Sequence, residues 1–133
     1  MGHASVMAPL IVAGVALLLL HIGVQAISVT RELGSAWNAG PRDEGLGPKG
    51  AFAGRAERAL RNYLETFPAF GIMALTLIAL ERADGLGLAG ALLWLAARLI
   101  YLPVYLAGIP YLRSLVWVAA LIGLLLMVIR AVV

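Results

Sequence analysis

The stretch Arg58-Ala59-Leu60-Arg61-Asn62-Tyr63-Leu64-Glu65-Thr66-Phe67-Pro68 decides the fold, because its polar side chains run directly into a hydrophobic segment. At about 3.6 residues per turn, its strongly polar residues share one helical face. Residues 67–80 carry no charge but number only 14, whereas a membrane-spanning helix needs about 20 residues. The spanning helix must therefore include Arg61. We expect the polar face to lie at or inside one edge of the hydrocarbon, turned towards the protein interior.

The composition identifies the class of protein. Of 133 residues, 62% are hydrophobic and 13% are charged, and the mean hydropathy is +0.96. These values exclude a soluble domain of this size and predict an all-α integral membrane protein. The chain contains no cysteine, so any sulfur chemistry has to use an external thiol.

Four membrane spans are predicted, at about residues 6–32, 55–83, 86–106 and 111–133, in a single domain that covers residues 1–133. Residues 33–54 are rich in glycine and proline and predict a mobile loop. Pro68 is expected to kink the second helix. The sequence thus predicts a four-transmembrane-helix bundle.

The basic residues are distributed unevenly and predict the orientation in the membrane. Six of the ten Lys and Arg residues lie between the first and second apolar segments: Arg31, Arg42, Lys49, Arg55, Arg58 and Arg61. By the positive-inside rule, loop 33–54 is cytosolic and both termini lie outside. The positive charge therefore indicates topology rather than a nucleic-acid surface.

Polar groups on all four helices are expected to gather in the cytosolic half of the membrane. On the first helix His21, Gln25, Ser28 and Glu32 share a face, and the other helices add Arg98, Tyr101, Tyr105, Arg113 and Ser114. Such a net cationic cluster suits a small ligand with carboxylates, because arginine binds them with two hydrogen bonds. The alternative is assembly alone, with Arg61 paired to Glu65, and Arg98 to Glu65 or Glu32. For His21 we predict a hydrogen bond between helices rather than a metal site.

The polar residues carry a resemblance to a known family. Arg61-Asn62-x-x-Glu65-x-x-Pro68-x-Phe70 is followed on the third helix by Ala97-Arg98-x-x-Tyr101-x-x-x-Tyr105, and Arg113-Ser114 opens the fourth helix. This pattern resembles the MAPEG family of membrane-associated proteins in eicosanoid and glutathione metabolism, which includes the microsomal glutathione transferases. The resemblance covers all four helices. The high alanine, leucine and glycine content points to a bacterial member, in the inner membrane.

The resemblance implies a homotrimer that binds glutathione between neighbouring subunits near the cytosolic face. It implies a transferase or peroxidase, in which the bound thiolate attacks a lipophilic electrophile that enters from the bilayer. Arg113 matches the family's thiolate-stabilising arginine and Ser114 its neighbouring serine, and a cation beside sulfur raises the thiolate fraction. The implied glutathione-binding residues are Arg31, Arg61, Asn62, Glu65, Arg98, Tyr101, Tyr105 and Trp117. Several members have tyrosine in place of Trp117, and some have histidine in place of Tyr101.

The sequence also allows two other functions to be compared with this one. A non-catalytic subunit of the same fold would pack against a larger membrane complex through Ala119, Gly123 and Trp94. A small transporter or channel is disfavoured, because polar groups confined to one half of the membrane leave no continuous path through it.

Overall fold

The computed structural model describes residues 4–133, with side chains from Val6 onward, so residues 1–3 of the predicted domain lie outside the described part. Four long helices and one short helix follow in chain order: α1 (Ala4–Leu33), α2 (Ser35–Ala39), α3 (Ala51–Ala79), α4 (Gly85–Ala107) and α5 (Leu112–Val132). The four long helices are each long and apolar enough to cross a membrane. The predicted all-α bundle of four spans is confirmed.

The helix boundaries differ from the prediction mainly around the first loop. Helix α3 begins at Ala51 rather than residue 55 and ends at Ala79 rather than residue 83. The early start follows from residues 51–54, three of which are alanine or phenylalanine and continue the helix after the glycine at position 50. The early end follows from Glu81, which has a φ of 57° and leaves the helical conformation. Part of the predicted loop forms α2, and α3 continues through Pro68.

Contacts at the helix ends show that the long helices alternate in direction. Arg55 near the start of α3 donates a hydrogen bond from Nη1 to the Leu106 carbonyl near the end of α4, at 3.3 Å. At the opposite end, Arg130 of α5 forms an ion pair of 2.8 Å with Asp84 before α4. We call the end that carries the connection 34–50 and the turn 108–111 the loop end.

An aromatic core holds α1, α3 and α4 together. The Phe70 and Trp94 rings stack with centroids 4.0 Å apart, and the Tyr63 ring stacks on His21 at 4.7 Å. The Tyr63 hydroxyl donates to the backbone carbonyl of Gly14. Within residues 4–133, both ring nitrogens of the buried His21 lack a hydrogen-bond partner. The predicted interhelical hydrogen bond of His21 is therefore wrong, because its ring packs by stacking instead.

Helices α4 and α5 approach closely at Gly90 and Gly123. A Cβ on Gly123 would lie 2.6 Å from the Gly90 carbonyl oxygen and 2.7 Å from the Trp94 backbone nitrogen. Small residues permit such backbone contact between membrane helices. Gly123 is buried at this contact, and Trp94 is buried with its ring stacked on Phe70. The predicted use of these two residues to bind a larger complex is therefore wrong.

The Gly123→Ala variant is expected to destabilise the protein by about 1–3 kcal/mol, because the new methyl group meets rigid backbone atoms rather than a movable side chain. Thermal unfolding in detergent measures the effect. Gly71→Ala is the matched control, because a Cβ there has no neighbour within 4 Å. Equal unfolding midpoints for the two variants would show that the α4–α5 contact is looser than described.

Candidate functional site

A polar cleft opens where α3, α4 and α5 meet. It has a volume of about 230 Å³, and its lining residues are Asn62, Tyr101, Arg113, Ser114 and Trp117. Arg113 and Ser114 occupy the first turn of α5 and are exposed, whereas Asn62 lies within α3 and is half-buried. Five residues predicted for the site, from three different helices, therefore surround one cleft. We call it the Asn62 cleft.

A second cleft of about 290 Å³ lies beside it at the loop end. Its lining includes Arg55, Arg58, Tyr105, the turn 108–110 and also Arg113, which it shares with the Asn62 cleft. Arg58 donates a hydrogen bond from Nε to the Tyr105 hydroxyl at 3.1 Å, and the Arg113 guanidinium lies 5.2 Å from the Tyr105 ring centroid. We call this the arginine cleft. Three guanidinium groups and no carboxylate line it, so it favours an anion.

Arg98 lies behind the Asn62 cleft rather than in its wall. The side chain is fully buried and donates from Nη1 to the Asn62 Oδ1 at 2.7 Å. Its guanidinium carbon lies 4.4 Å from the centroid of the Tyr101 ring and 5.1 Å from that of Tyr63. Two aromatic faces and one amide oxygen therefore hold this cation in place.

Three of the predicted residues lie away from both clefts. Arg61 and Glu65 are exposed on α3 and line neither cleft. Arg31 lines a separate pocket with Ser28, Glu32 and residues 50–53. The fold of the single chain therefore brings together only part of the predicted set.

The predicted assembly pairs do not form. In the described part of the chain, neither Arg61 nor Arg98 forms an ion pair with Glu65 or Glu32. The Glu32 carboxylate instead accepts hydrogen bonds from the backbone nitrogens of Lys49, at 2.6 Å, and Gly50. Glu32 thus fixes the end of the connection 34–50 to α1.

The Glu32→Ala variant is expected to loosen the segment before α3, because two charge-assisted hydrogen bonds to its backbone are lost. Trypsin cleavage after Lys49 should become several-fold faster in limited proteolysis of the detergent-solubilised protein. Glu44→Ala, in the same connection and exposed, is the control and should leave the rate unchanged. Equal rates for both variants would show that Glu32 does not restrain the segment.

Two residues of the site were missed by sequence reasoning. Arg55 lines the arginine cleft. It precedes Arg58 by three residues, and this spacing places both side chains on one helical face, so Arg55 could have been predicted as a site residue. The second missed residue is Tyr63, whose ring lies against the Arg98 guanidinium. Its hydroxyl donates a hydrogen bond to the carbonyl of Gly14 on α1, a contact between distant residues that the sequence did not indicate.

Four apolar helices with a polar cleft at one end define an integral, multi-pass membrane protein. A family model described as MAPEG family matches residues 10–133. The match covers nearly the whole chain, so the chain belongs to the MAPEG family of glutathione and eicosanoid metabolism, as the resemblance of its polar motif predicted. Comparison with curated proteins and with solved structures gave no match.

Proposed function

We propose that the protein is a membrane-bound glutathione transferase or peroxidase, which activates the glutathione thiol for attack on a lipophilic electrophile. The observation that carries the proposal is the convergence of Arg113 and Ser114 with Asn62, Tyr101 and Trp117 around one cleft. Membership of a family that acts in glutathione metabolism supports the same ligand.

The chemistry of the two clefts fits glutathione, which carries two carboxylates, two peptide groups and a thiol. The arginine cleft offers the guanidinium groups of Arg55, Arg58 and Arg113, which suit carboxylates. The Asn62 cleft offers amide and hydroxyl groups, which suit a peptide backbone. Because Arg113 lines both clefts, one ligand can occupy both and place its thiol beside that residue.

A homotrimer with shared sites is part of the proposal. The Asn62 cleft alone is smaller than the roughly 300–1,000 Å³ of usual ligand pockets. Glu65 and Arg61 lie roughly 21 and 27 Å from the end of α3 at Ala79, within a hydrocarbon core of about 30 Å. Exposed charges at that depth are costly. In a trimer, Arg61 and Glu65 of one protomer would be covered by its neighbour, where they would close the neighbour's Asn62 cleft and contact the ligand bound there. Arg31 would contact the same ligand from the loop end.

Each residue then has a defined role. The bound ligand supplies the thiol, and the Arg113 guanidinium stabilises the thiolate by its positive charge. The Ser114 hydroxyl next to it donates a hydrogen bond to the same sulfur. Asn62, Tyr101, Tyr105 and Trp117 orient the tripeptide, so that its binding places the sulfur in one position.

The orientation in the membrane completes the proposal. The loop end faces the cytosol, because residues 31–61 carry six of the ten Lys and Arg residues. Glutathione can then enter from the aqueous side while a lipophilic substrate arrives through the bilayer. The alanine-, leucine- and glycine-rich composition supports the inner membrane of a bacterium.

Calorimetry of the solubilised protein with glutathione, together with conjugation of a chlorodinitrobenzene-type electrophile, tests the proposed function. We expect saturable binding and glutathione-dependent conjugation. S-methylglutathione is the matched control ligand, since it retains the carboxylates but cannot form a thiolate, and it should bind without conjugation. Absence of both binding and conjugation with glutathione would refute the proposal.

A further inference from the structure

Arg98 is an unusual residue for the middle of an apolar helix. Its side chain is fully buried, and within residues 4–133 no carboxylate lies within ion-pair distance of it. A buried cation with no carboxylate in ion-pair contact is costly in a membrane helix. An assembly role would be served better by an apolar side chain, so the charge at this position points to a function.

Arg98 contacts three neighbouring side chains and forms a hydrogen bond with one of them, Asn62. The guanidinium lies against the faces of Tyr101 and Tyr63, and its Nη1 donates to Asn62 Oδ1 at 2.7 Å. Its Nε and Nη2 are buried and donate to no acceptor in the described part of the chain. The hydrogen bond to Asn62 is thus the one directional contact that this side chain makes with the wall of the cleft.

That hydrogen bond determines how Asn62 faces a ligand. A guanidinium has donors and no acceptor, so the Asn62 carboxamide must turn its oxygen towards Arg98. The Nδ2 amino group then points away from Arg98. Asn62 itself is half-buried and lines the cleft, and in the described structure its Nδ2 donates to no protein acceptor.

We propose that Arg98 is a positioning residue, which fixes the Asn62 carboxamide so that its amino group faces the cleft as a hydrogen-bond donor. The site thereby selects a ligand with a carboxylate or peptide carbonyl oxygen at that point. Arg98 itself does not touch the ligand. The inference rests on the proposed function for the identity of the ligand, whereas the orientation of Asn62 can be tested without any ligand.

Nuclear magnetic resonance of protein labelled with ¹⁵N-asparagine tests the orientation directly. The chain contains two asparagines, Asn38 and Asn62, and Asn38 lies in α2 as an internal control. The Arg98→Met variant should shift the side-chain amide signals of Asn62 and leave those of Asn38 in place. Arg82→Met, which removes an arginine bound to the Ala131 carbonyl at the other end, should move neither pair. Unchanged Asn62 signals in Arg98→Met would overturn the proposal.

Glutathione affinity in a double-mutant cycle separates positioning from direct contact. Arg98→Met should weaken glutathione binding by about ten-fold, because the Asn62 amino group would no longer be held in place as a donor to the ligand. Arg98→Lys should restore part of the affinity. In the Asn62→Ala background, Arg98→Met should cause no further loss. Additive losses would overturn the proposal, because Arg98 would then contact the ligand itself.

Asn62→Asp provides a variant that is expected to fold. A carboxylate there pairs with Arg98 and should raise the unfolding midpoint, while the missing amino group should weaken glutathione binding. A variant that binds glutathione as well as the wild type would contradict the assigned donor. If the wild type itself binds no glutathione, the proposed function fails, and the amide signals still decide the orientation of Asn62.

Discussion

Replacing Arg113 with alanine is expected to leave glutathione bound and to abolish formation of its thiolate. Arg113 is the guanidinium common to both clefts, and the carboxylates retain Arg55 and Arg58 as partners. Loss of a preorganised charge beside the reacting atom should lower the conjugation rate by about a hundred-fold. Ultraviolet difference absorbance of the thiolate at neutral pH, with calorimetry on the same sample, measures both effects.

The controls for Arg113 separate charge from local structure. Arg113→Lys keeps a cation and should retain part of the thiolate signal, whereas Arg42→Ala removes an exposed arginine of the loop and should leave the signal unchanged. An Arg113→Ala protein with the full thiolate absorbance of the wild type would show that another group stabilises the sulfur.

Mixed trimers of two inactive variants are expected to regain activity. Arg61 is exposed on α3 and lies outside both clefts of its own protomer, so in the proposed trimer it completes the cleft of a neighbour. Arg61→Ala and Arg113→Ala homotrimers should each be nearly inactive. Co-expression in equal amounts should restore about a quarter of the sites, because each site then needs one intact residue from each of two protomers. Conjugation rates of purified mixed trimers measure the recovery.

The matching control is a mixture of Arg113→Ala with Asn62→Ala, which tests two residues of one cleft within one protomer. This mixture should stay inactive, because no protomer retains a complete wall. Recovery in this control, or no recovery with Arg61→Ala, would contradict a site shared between protomers.

The fold could be predicted from the sequence because membrane spans have a strong local signal. Length and hydropathy identified all four long helices, since a hydrocarbon slab imposes a minimum length on each span. The loop was predicted less well. The glycine and proline content of residues 33–54 predicted a loop, whereas the structure has α2 and the first turn of α3 there. Local propensity says little about where a chain resumes a helix.

The site could be predicted in part. Helical spacing and the family motif named the residues of the Asn62 cleft, which the structure brings together from three helices. Burial was harder to foresee, because the face of a helix that turns inward depends on its neighbours. Arg98 was predicted to touch the ligand but lies fully buried behind Asn62, whereas Arg61 and Glu65 were expected to face inward and are exposed.

Pairing between distant residues could not be predicted from spacing along one helix. Glu32 was expected in the polar cluster but binds the backbone nitrogens of Lys49 and Gly50. His21 was expected to form a hydrogen bond but stacks on Tyr63. Both outcomes depend on which residue of another segment lies opposite, and a single sequence carries little information about that.

An experimental density map of the protein in a lipid nanodisc with bound glutathione tests the central claim most directly. We expect a trimer with the glutathione sulfur beside Arg113 and Ser114 of one protomer, and with Arg61 and Glu65 of the neighbouring protomer closing the cleft. Glutathione density away from Arg113, or an Asn62 cleft that faces lipid in the assembled protein, would contradict it.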